Sequence, residues 1–251
     1  MIEHLSVTQV NSYLRCPRSY YYRYIEGLIK PPAGVMVLGK AYHEAVAYDL
    51  NHRIIGEIIS ADELSDTFST SWERQVNNKK TSEDEDELEF DSIDWGDNEP
   101  GKLKDDGISL AKMYQERVAP SLQPIMVEER EQYNIDGIPF VLIRDVVEKS
   151  GQTRDHKVKA RRFSELDLKQ DLQPTAYTKG QFPFIFDIAL RQKNLAIESV
   201  PVARTQQDWD WFVLQVKDVW EAIQKGNFPR RSVGWHCSPD WCGYWDICRS
   251  S

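Results

Sequence analysis

The stretch Ile138 to Lys157, IPFVLIRDVVEKSGQTRDHK, limits what this chain can become more than any other. Its apolar, β-branched run reads as a strand that ends in Asp145. A turn follows at Ser150-Gly151, then a second short strand carrying Asp155 and Lys157. Residues i and i+2 of a strand share a face, so Asp155 and Lys157 point the same way. Two carboxylates brought together repel unless a proton or a cation lies between them. A hard divalent cation is the usual answer, because Mg²⁺ binds through one or two carboxylates plus water and phosphate oxygens. A lysine beside it would meet a bound water or a scissile phosphate, the layout of metal-assisted phosphodiester hydrolysis. The bland alternative is a solvated hairpin whose Asp–Lys pair is worth about 0–1 kcal/mol.

Register offers a test. If Asp145 shares a face with Asp155 and Lys157, residue numbers paired across the turn must sum to an even number. That requires an odd loop, for example Ser150-Gly151-Gln152 with a positive φ at or beside Gly151, or else a bulge. A clean two-residue turn at Ser150-Gly151 would put Asp145 on the wrong face.

A length of 251 residues suffices for one sizeable domain, and 41% hydrophobic content is ordinary for a globular chain. The start MIEHLSVTQV lacks the basic and apolar regions of a signal peptide, and no apolar run nears the roughly 20 residues of a membrane span. The expectation is a soluble, cytoplasmic protein with no membrane partner. A net charge of −9 argues against a polyanionic partner only until its placement is read. Ten acidic residues stand between Glu83 and Glu99 with no Lys or Arg among them, and the remainder carries +1. Arg144, Arg154, Lys157, Lys159, Arg161 and Arg162 crowd the hairpin and are expected to form a basic patch there.

In chain order, Ser6-Val7-Thr8-Gln9 has the form of a capping box and should open a helix. Cys16-Pro17 interrupts it, and Pro17 suits the first position of a second helical piece. The tyrosines of SYYYRYIEGL are packing residues or, alternatively, stacking platforms for bases. Val35 to about Arg53 reads as a helix carrying His43. Asp62–Val76 and Leu103–Val118 read as two more. Residues 77–101 are acidic and aperiodic, and are read as a mobile acidic loop or lid. A strand over Met126–Ile135 and the Asp136-Gly137 turn precede the central hairpin. Asp167 to Gly180 is expected as a helix with Gln173 and Tyr177 on one face, although Pro174 moves its start toward Leu172. Strands over Phe184–Gln192 and Ala196–Ala203 follow. A final helix capped at Thr205-x-x-Asp208 buries Trp209, Phe212, Val216, Val219, Trp220 and Ile223.

Four cysteines remain. Cys16 stands alone near the start, and Cys237, Cys242 and Cys248 lie in HCSPDWCGYWDIC. In a cytosolic protein such a set favours a metal over two disulfides. Four thiolates suit zinc or an iron–sulfur cluster, and spacing alone does not choose.

Asp145, ten residues on Asp155-His156-Lys157, resembles the D…(D/E)-x-K signature of the PD-(D/E)XK nucleases. Gly39 and His43 match the G-x-x-x-H element of RecB-type nucleases, whose His supplies a metal ligand; Glu44 is a second acid on that helix. Gln173 and Tyr177 in QPTAY match a Q-x-x-x-Y element of RecB-type nucleases and their CRISPR relatives. One early and three late cysteines resemble the iron–sulfur staple of the helicase–nuclease AddB and of the CRISPR-adaptation nucleases, with a first late gap two residues longer. Arg144 stands where the family often has an apolar residue, and His156 where Tyr or Phe is common.

The resemblance implies a single α/β domain over 1–251, a central mixed β-sheet flanked by helices in a restriction-endonuclease-like core. It implies a 4Fe–4S cluster on Cys16, Cys237, Cys242 and Cys248, joining the N- and C-terminal segments. It implies a Mg²⁺ or Mn²⁺ site on His43, Asp145, Asp155 and the His156 backbone carbonyl. Lys157 then orients the attacking water, and Gln173 and Tyr177 line the catalytic site. The implied function is a DNA exonuclease acting on single-stranded ends, in DNA recombination and repair or phage DNA processing. Two other readings stand beside it: a CRISPR-adaptation nuclease acting with integration partners, and a non-catalytic iron–sulfur DNA-binding module.

Overall fold

The computed structural model describes residues 2–77, 92–232 and 234–250. In chain order the elements are β1 (Leu5–Ser6), α1 (Val7–Arg15), α2 (Pro17–Tyr20), a π-helical turn over Tyr21–Ile25, α3 (Gly34–Ile54), α4 (Ala61–Val76) and α5 (Pro100–Arg117). There follow β2 (Pro124–Ile135), β3 (Ile138–Glu148), β4 (Thr153–Lys159), α6 (Glu165–Gln170), α7 (Gln173–Thr178), β5 (Phe184–Leu190), β6 (Ala196–Val202), α8 (Gln206–Gln224) and α9 (Trp245–Ser250). The strands make a mixed sheet in the order β1-β3-β4-β5-β6, with β2 also on β3. The chain divides into two compact units. The first comprises Met1–Lys30, Arg130–Leu142 and Thr205–Ser251; the second comprises Pro31–Glu129 and Ile143–Arg204.

In the second unit, the end of β3 pairs antiparallel with β4, β4 runs parallel to β5, and β5 is antiparallel to β6. The helices α3, α4 and α5 form a layer whose core joins Leu38, Ala41, Leu50, Phe68, Leu110 and Tyr114 to Val146 and Ala189 of the sheet. Gly107 sets how closely α5 approaches. A Cβ there would lie 2.3 Å from the Phe68 ring and 2.5 Å from Leu38, well inside van der Waals contact.

Within the span read as an acidic loop, residues 78–91 lie outside the described residues. The part from 92 onward departs from that reading. Asp94 donates its N–H to the Pro32 carbonyl at 2.9 Å and accepts from the Gly34 N–H at 2.8 Å. It thereby satisfies a first-turn donor of α3, which has no side-chain cap. Trp95 lies against Gly34 and 5.9 Å from the Trp72 ring. Helix α5 begins at Pro100, three residues earlier than read, because Glu99 caps it by accepting from Gly101 and Lys102. The single helix expected over Asp167–Gly180 is two, α6 and α7. Pro174 cannot continue a helix from α6, and Asp171 turns the chain by accepting the Gln173 N–H at 2.9 Å.

In the first unit, Ser6 caps α1 by accepting the Gln9 N–H at 3.3 Å. The reciprocal half of the expected capping box does not form, and the Gln9 side-chain oxygen Oε1 instead accepts from the Tyr20 hydroxyl at 2.9 Å. Pro17 opens α2 as read. Tyr13, Tyr20 and Tyr22 are buried. Tyr13 and Tyr20 meet Phe228, and Tyr22 meets Tyr244 at 5.3 Å, so these three pack. Helix α8 is capped reciprocally by Thr205 and Asp208, and it buries Phe212, Val216, Val219 and Ile223. Trp209 and Trp220 are only half-buried. At the β2–β3 turn, Asp136 and Gly137 both take positive φ, +48° and +90°, as a tight two-residue hairpin requires.

Candidate active site

Strands β3 and β4 pair at Val146↔Arg154 and Val147↔Thr153. Both pairs sum to an even number. The Glu148 N–H also meets the Gln152 carbonyl at 2.9 Å, which leaves a three-residue turn, Lys149-Ser150-Gly151, with Gly151 at φ +84°. Continued one step, this register sets Asp145 opposite Asp155. The strands part there. The His156 N–H donates to Asp145 Oδ2 at 2.6 Å rather than to a β3 carbonyl. His43, from α3, places Nδ1 3.4 Å from the same oxygen, and His156 Nδ1 lies 3.7 Å from it.

The parallel pairing of β4 with β5 sorts the remaining side chains onto two faces. Asp155 and Lys157 share one face with Phe186 and Ile188. There the Lys157 ammonium lies 2.6 Å from Asp155 Oδ2. Gln173 on α7 donates to Asp155 Oδ1 at 2.9 Å and to the Tyr177 hydroxyl at 3.2 Å. Arg154 and His156 face α3 and α5. The Arg154 guanidinium donates to Glu148 at 2.6 Å and to both oxygens of Asp187 at 3.0 Å. Tyr114 on α5 contacts Asp187 Oδ2 at 3.3 Å and His156 Nε2 at 2.9 Å.

Burial and charge set the protonation states. Burial lifts the Asp155 carboxyl to about 6, Lys157 opposes this, and Asp145 adds to it. Burial alone would pull Lys157 down, but Asp155 and Asp145 outweigh it and hold the ammonium above its ordinary value. Burial pushes His156 down to about 3, and charge on His43 acts the same way, so its imidazole is neutral across the physiological range. Burial and then Asp187 raise Tyr114 well above 10, so it stays a phenol.

These residues fit a divalent cation. Ligand atoms of His43, Asp145 and His156 lie within 4.8 Å of one another. Asp155 Oδ2 is buried, and the Lys157 ammonium meets it at 2.6 Å. A buried carboxylate oxygen needs such a charge, and a cation could share it. The arrangement thus offers carboxylate oxygen and imidazole nitrogen to a metal, with a lysine alongside.

Several residues of the site escaped the sequence reading. Arg154 was assigned to a basic patch, yet it is 8% exposed and committed to Glu148 and Asp187. Arg161 is tied to Asp167 and Arg162 to Glu198, so the expected patch is largely a set of ion pairs. Arg144 lies 3.5 Å from Glu129 on the neighbouring strand. Glu128 adopts φ +52°, rare for a residue with a side chain, and its carboxylate lies 4.0 Å from His43 Nδ1. Glu44 instead joins Arg74 and Gln75. For Asp187 there was a signal, a lone carboxylate inside the apolar strand FIFDIAL, which is rarely buried unless paired.

The four cysteines all belong to the first unit, and all are free and half-buried. Cys237 donates its thiol to the Arg231 carbonyl at 3.0 Å, and Arg231 in turn donates to the Arg15 carbonyl beside Cys16 at 3.0 Å. Cys248 lies in α9, a helix the sequence reading did not anticipate, and its carbonyl accepts from Arg230 at 3.2 Å. Among the described residues, the sulfur atoms do not form a group of three within ligand distance.

A model of the PD-(D/E)XK nuclease superfamily matches residues 4–249. No curated protein matches the chain. Among solved structures, the chain is similar to a "Putative exonuclease" from Eubacterium rectale at 10% identity and a TM-score of 0.58, over 99% of this chain and 88% of that one. A second structure, SSO0001, aligns at 12% identity and a TM-score of 0.45, over 99% of this chain and 86% of that one.

Proposed function

The chain belongs to the PD-(D/E)XK nuclease superfamily, and on that premise we propose that it is a divalent-metal-dependent DNA exonuclease acting on single-stranded ends. The observation that carries this reading is the gathering of His43 and Asp145 at the His156 backbone, with the Asp155–Lys157 pair on the adjoining strand, where β3 and β4 part. His43, Asp145, Asp155 and the His156 backbone carbonyl would hold Mg²⁺ or Mn²⁺. When bound, the ion supplies Lewis-acid stabilisation of phosphate charge and a water of lowered pKa. Asp155 holds Lys157 charged and in place, so its ammonium can orient the attacking water and meet charge developing on the phosphate. Gln173 fixes the Asp155 carboxylate through Oδ1 and is itself held by Tyr177. These two position the acid rather than react.

Single-stranded ends are proposed as the substrate because such a strand needs no unwinding before it enters the site. DNA recombination and repair or phage DNA processing is the setting that suits such an activity. A 4Fe–4S cluster on Cys16, Cys237, Cys242 and Cys248 is the second part of the proposal. Its support is chemical: four free thiols in one unit, on segments fastened to each other through Arg231. Its role would be structural, closing the long loop between Cys16 and Cys237.

The test is purification without oxygen, followed by incubation with end-labelled single-stranded DNA in Mn²⁺ and in EDTA. Metal-dependent shortening from one end is expected, with a brown protein absorbing near ~400 nm. A protein that binds DNA in Mn²⁺ without cutting it would sink the nuclease reading. A colourless protein containing zinc would sink the cluster assignment alone.

A further inference from the structure

A second imidazole, that of His156, stands at the site beside His43. His156 enters the proposed ligand set only through its backbone carbonyl, yet the residue is 1% exposed and its ring Nδ1 lies near the same carboxylate oxygen as His43 Nδ1. Resting on the reading of this site as a divalent-metal centre, we propose that the His156 imidazole is itself a metal ligand through Nδ1. With His43 Nδ1 and Asp145 it would form a two-nitrogen, one-carboxylate face that favours first-row transition ions over Mg²⁺.

Proton counting fixes the tautomer. A phenol has one proton to give. Asp187 is a carboxylate already accepting from Arg154 and Ser199, so it can only accept from Tyr114. With the Tyr114 proton directed to Asp187, the phenolic oxygen can only accept from His156 Nε2, at 2.9 Å. In a metal-binding form the imidazole carries its one proton on Nε2, where this bond holds it, and presents a bare lone pair at Nδ1. That lone pair faces Asp145 Oδ2 at 3.7 Å, with His43 Nδ1 3.4 Å from the same oxygen. Two electron-rich atoms, His156 Nδ1 and Asp145 Oδ2, thus face each other beside a second imidazole nitrogen, an arrangement that a cation would join.

The 3.4 Å spacing of His43 Nδ1 from Asp145 Oδ2 suits one ion, and the 3.7 Å of His156 Nδ1 needs only a slight closure. Metal–ligand bonds of about 2.0–2.2 Å to nitrogen and oxygen leave neighbouring ligand atoms roughly 3–3.5 Å apart. The chain Arg154, Asp187, Tyr114, His156 is then a support of the kind metal-binding histidines use, in which the second ring nitrogen donates outward and fixes ring orientation. Two imidazoles and a carboxylate suit Mn²⁺, Co²⁺ or Zn²⁺, whereas Mg²⁺ prefers an all-oxygen set.

Pulsed electron paramagnetic resonance of Mn²⁺ bound to the full chain, with and without ¹⁵N-labelled histidine, counts the coordinated imidazoles without DNA. Two inequivalent histidine nitrogens are expected in the wild type, and one in His43→Ala. Tyr114→Phe should weaken Mn²⁺ binding about 10–100-fold, as loss of an outer support does. His156→Leu should leave one nitrogen; if it fails to fold, the wild-type count and His43→Ala decide. A single nitrogen in the wild type, or none left in His43→Ala, overturns the inference. Nuclease assay of the same preparation separates the two readings. Cleavage with one coordinated nitrogen sinks only the His156 ligand, and two nitrogens without cleavage sink only the nuclease.

Discussion

In the second unit, the atoms offered to a cation are held by the chain's own bonds. Asp145 accepts the His156 N–H, Asp155 is fixed by Gln173 and Lys157, and His156 is held through Tyr114 by Asp187 and Arg154. In the first unit, the backbone around the thiols is fastened, by Arg231 to Arg15 and by the Tyr244 hydroxyl to the Leu28 carbonyl at 2.7 Å. The sulfurs themselves are half-buried and ungathered. The arrangement in the second unit is preformed; that in the first has a fastened frame in which the sulfurs stand apart. Buried carboxylates need preorganised partners, because an unpaired buried charge costs several kcal/mol. A thiol is a small, weakly polar group that can wait half-exposed at little cost.

The largest effect should come from the built site. Lys157→Ala or Asp145→Ala should lower cleavage about 10³-fold or more while the protein stays folded; circular dichroism beside the end-label assay checks this, and retained activity in either removes the site. Cys242→Ser tests the other side. If bound metal completes the first unit, the variant should lose the visible band and melt about 5–15 °C lower. Mn²⁺ affinity in the second unit should not change; an equal fall would show that the two sites are not independent. Gly107→Ala drives a methyl into Phe68 and Leu38 and should cost the second unit about 1–3 kcal/mol by urea unfolding.

The next effect depends on pH. The Asp155 carboxyl, raised to about 6 by burial, keeps its proton in the folded state where the unfolded chain, at 3.8, has released it. Stability from this group is therefore complete below 3.8 and lost as pH rises through about 6. A cation must displace that proton, so Mn²⁺ affinity measured by calorimetry should fall about tenfold per pH unit below 6. Affinity flat from pH 7 to 5 would remove Asp155 from the ligands. The smallest effect is in the first unit, where Tyr244→Phe deletes one hydrogen bond to Leu28 and should cost about 1 kcal/mol.

What could be read from the chain follows from range. The strand pattern, the turn at Gly151 and the facing of Asp155 with Lys157 depend on neighbours a few residues apart, and they were legible. So were the Ser6 and Thr205 caps. Arg154 was misread because its partners, Glu148 and Asp187, reach it through the turn and through a parallel β4–β5 pairing that no local pattern encodes. Tyr114 looked like core, and it is buried, but only the fold shows that its hydroxyl spans Asp187 and His156. Asp94 and Trp95 were absorbed into an acidic stretch by composition, although one serves the start of α3 and the other covers Gly34.

The three-residue turn at Lys149-Ser150-Gly151 places a restriction on descent. Each residue added to or removed from it reverses the face on which every later side chain of β4 emerges, and two restore it. Relatives that vary this turn without losing the site should therefore differ in length by even steps, or carry a compensating bulge. The spacing between Asp145 and Asp155 can drift, but only by even jumps unless a bulge takes up the odd residue.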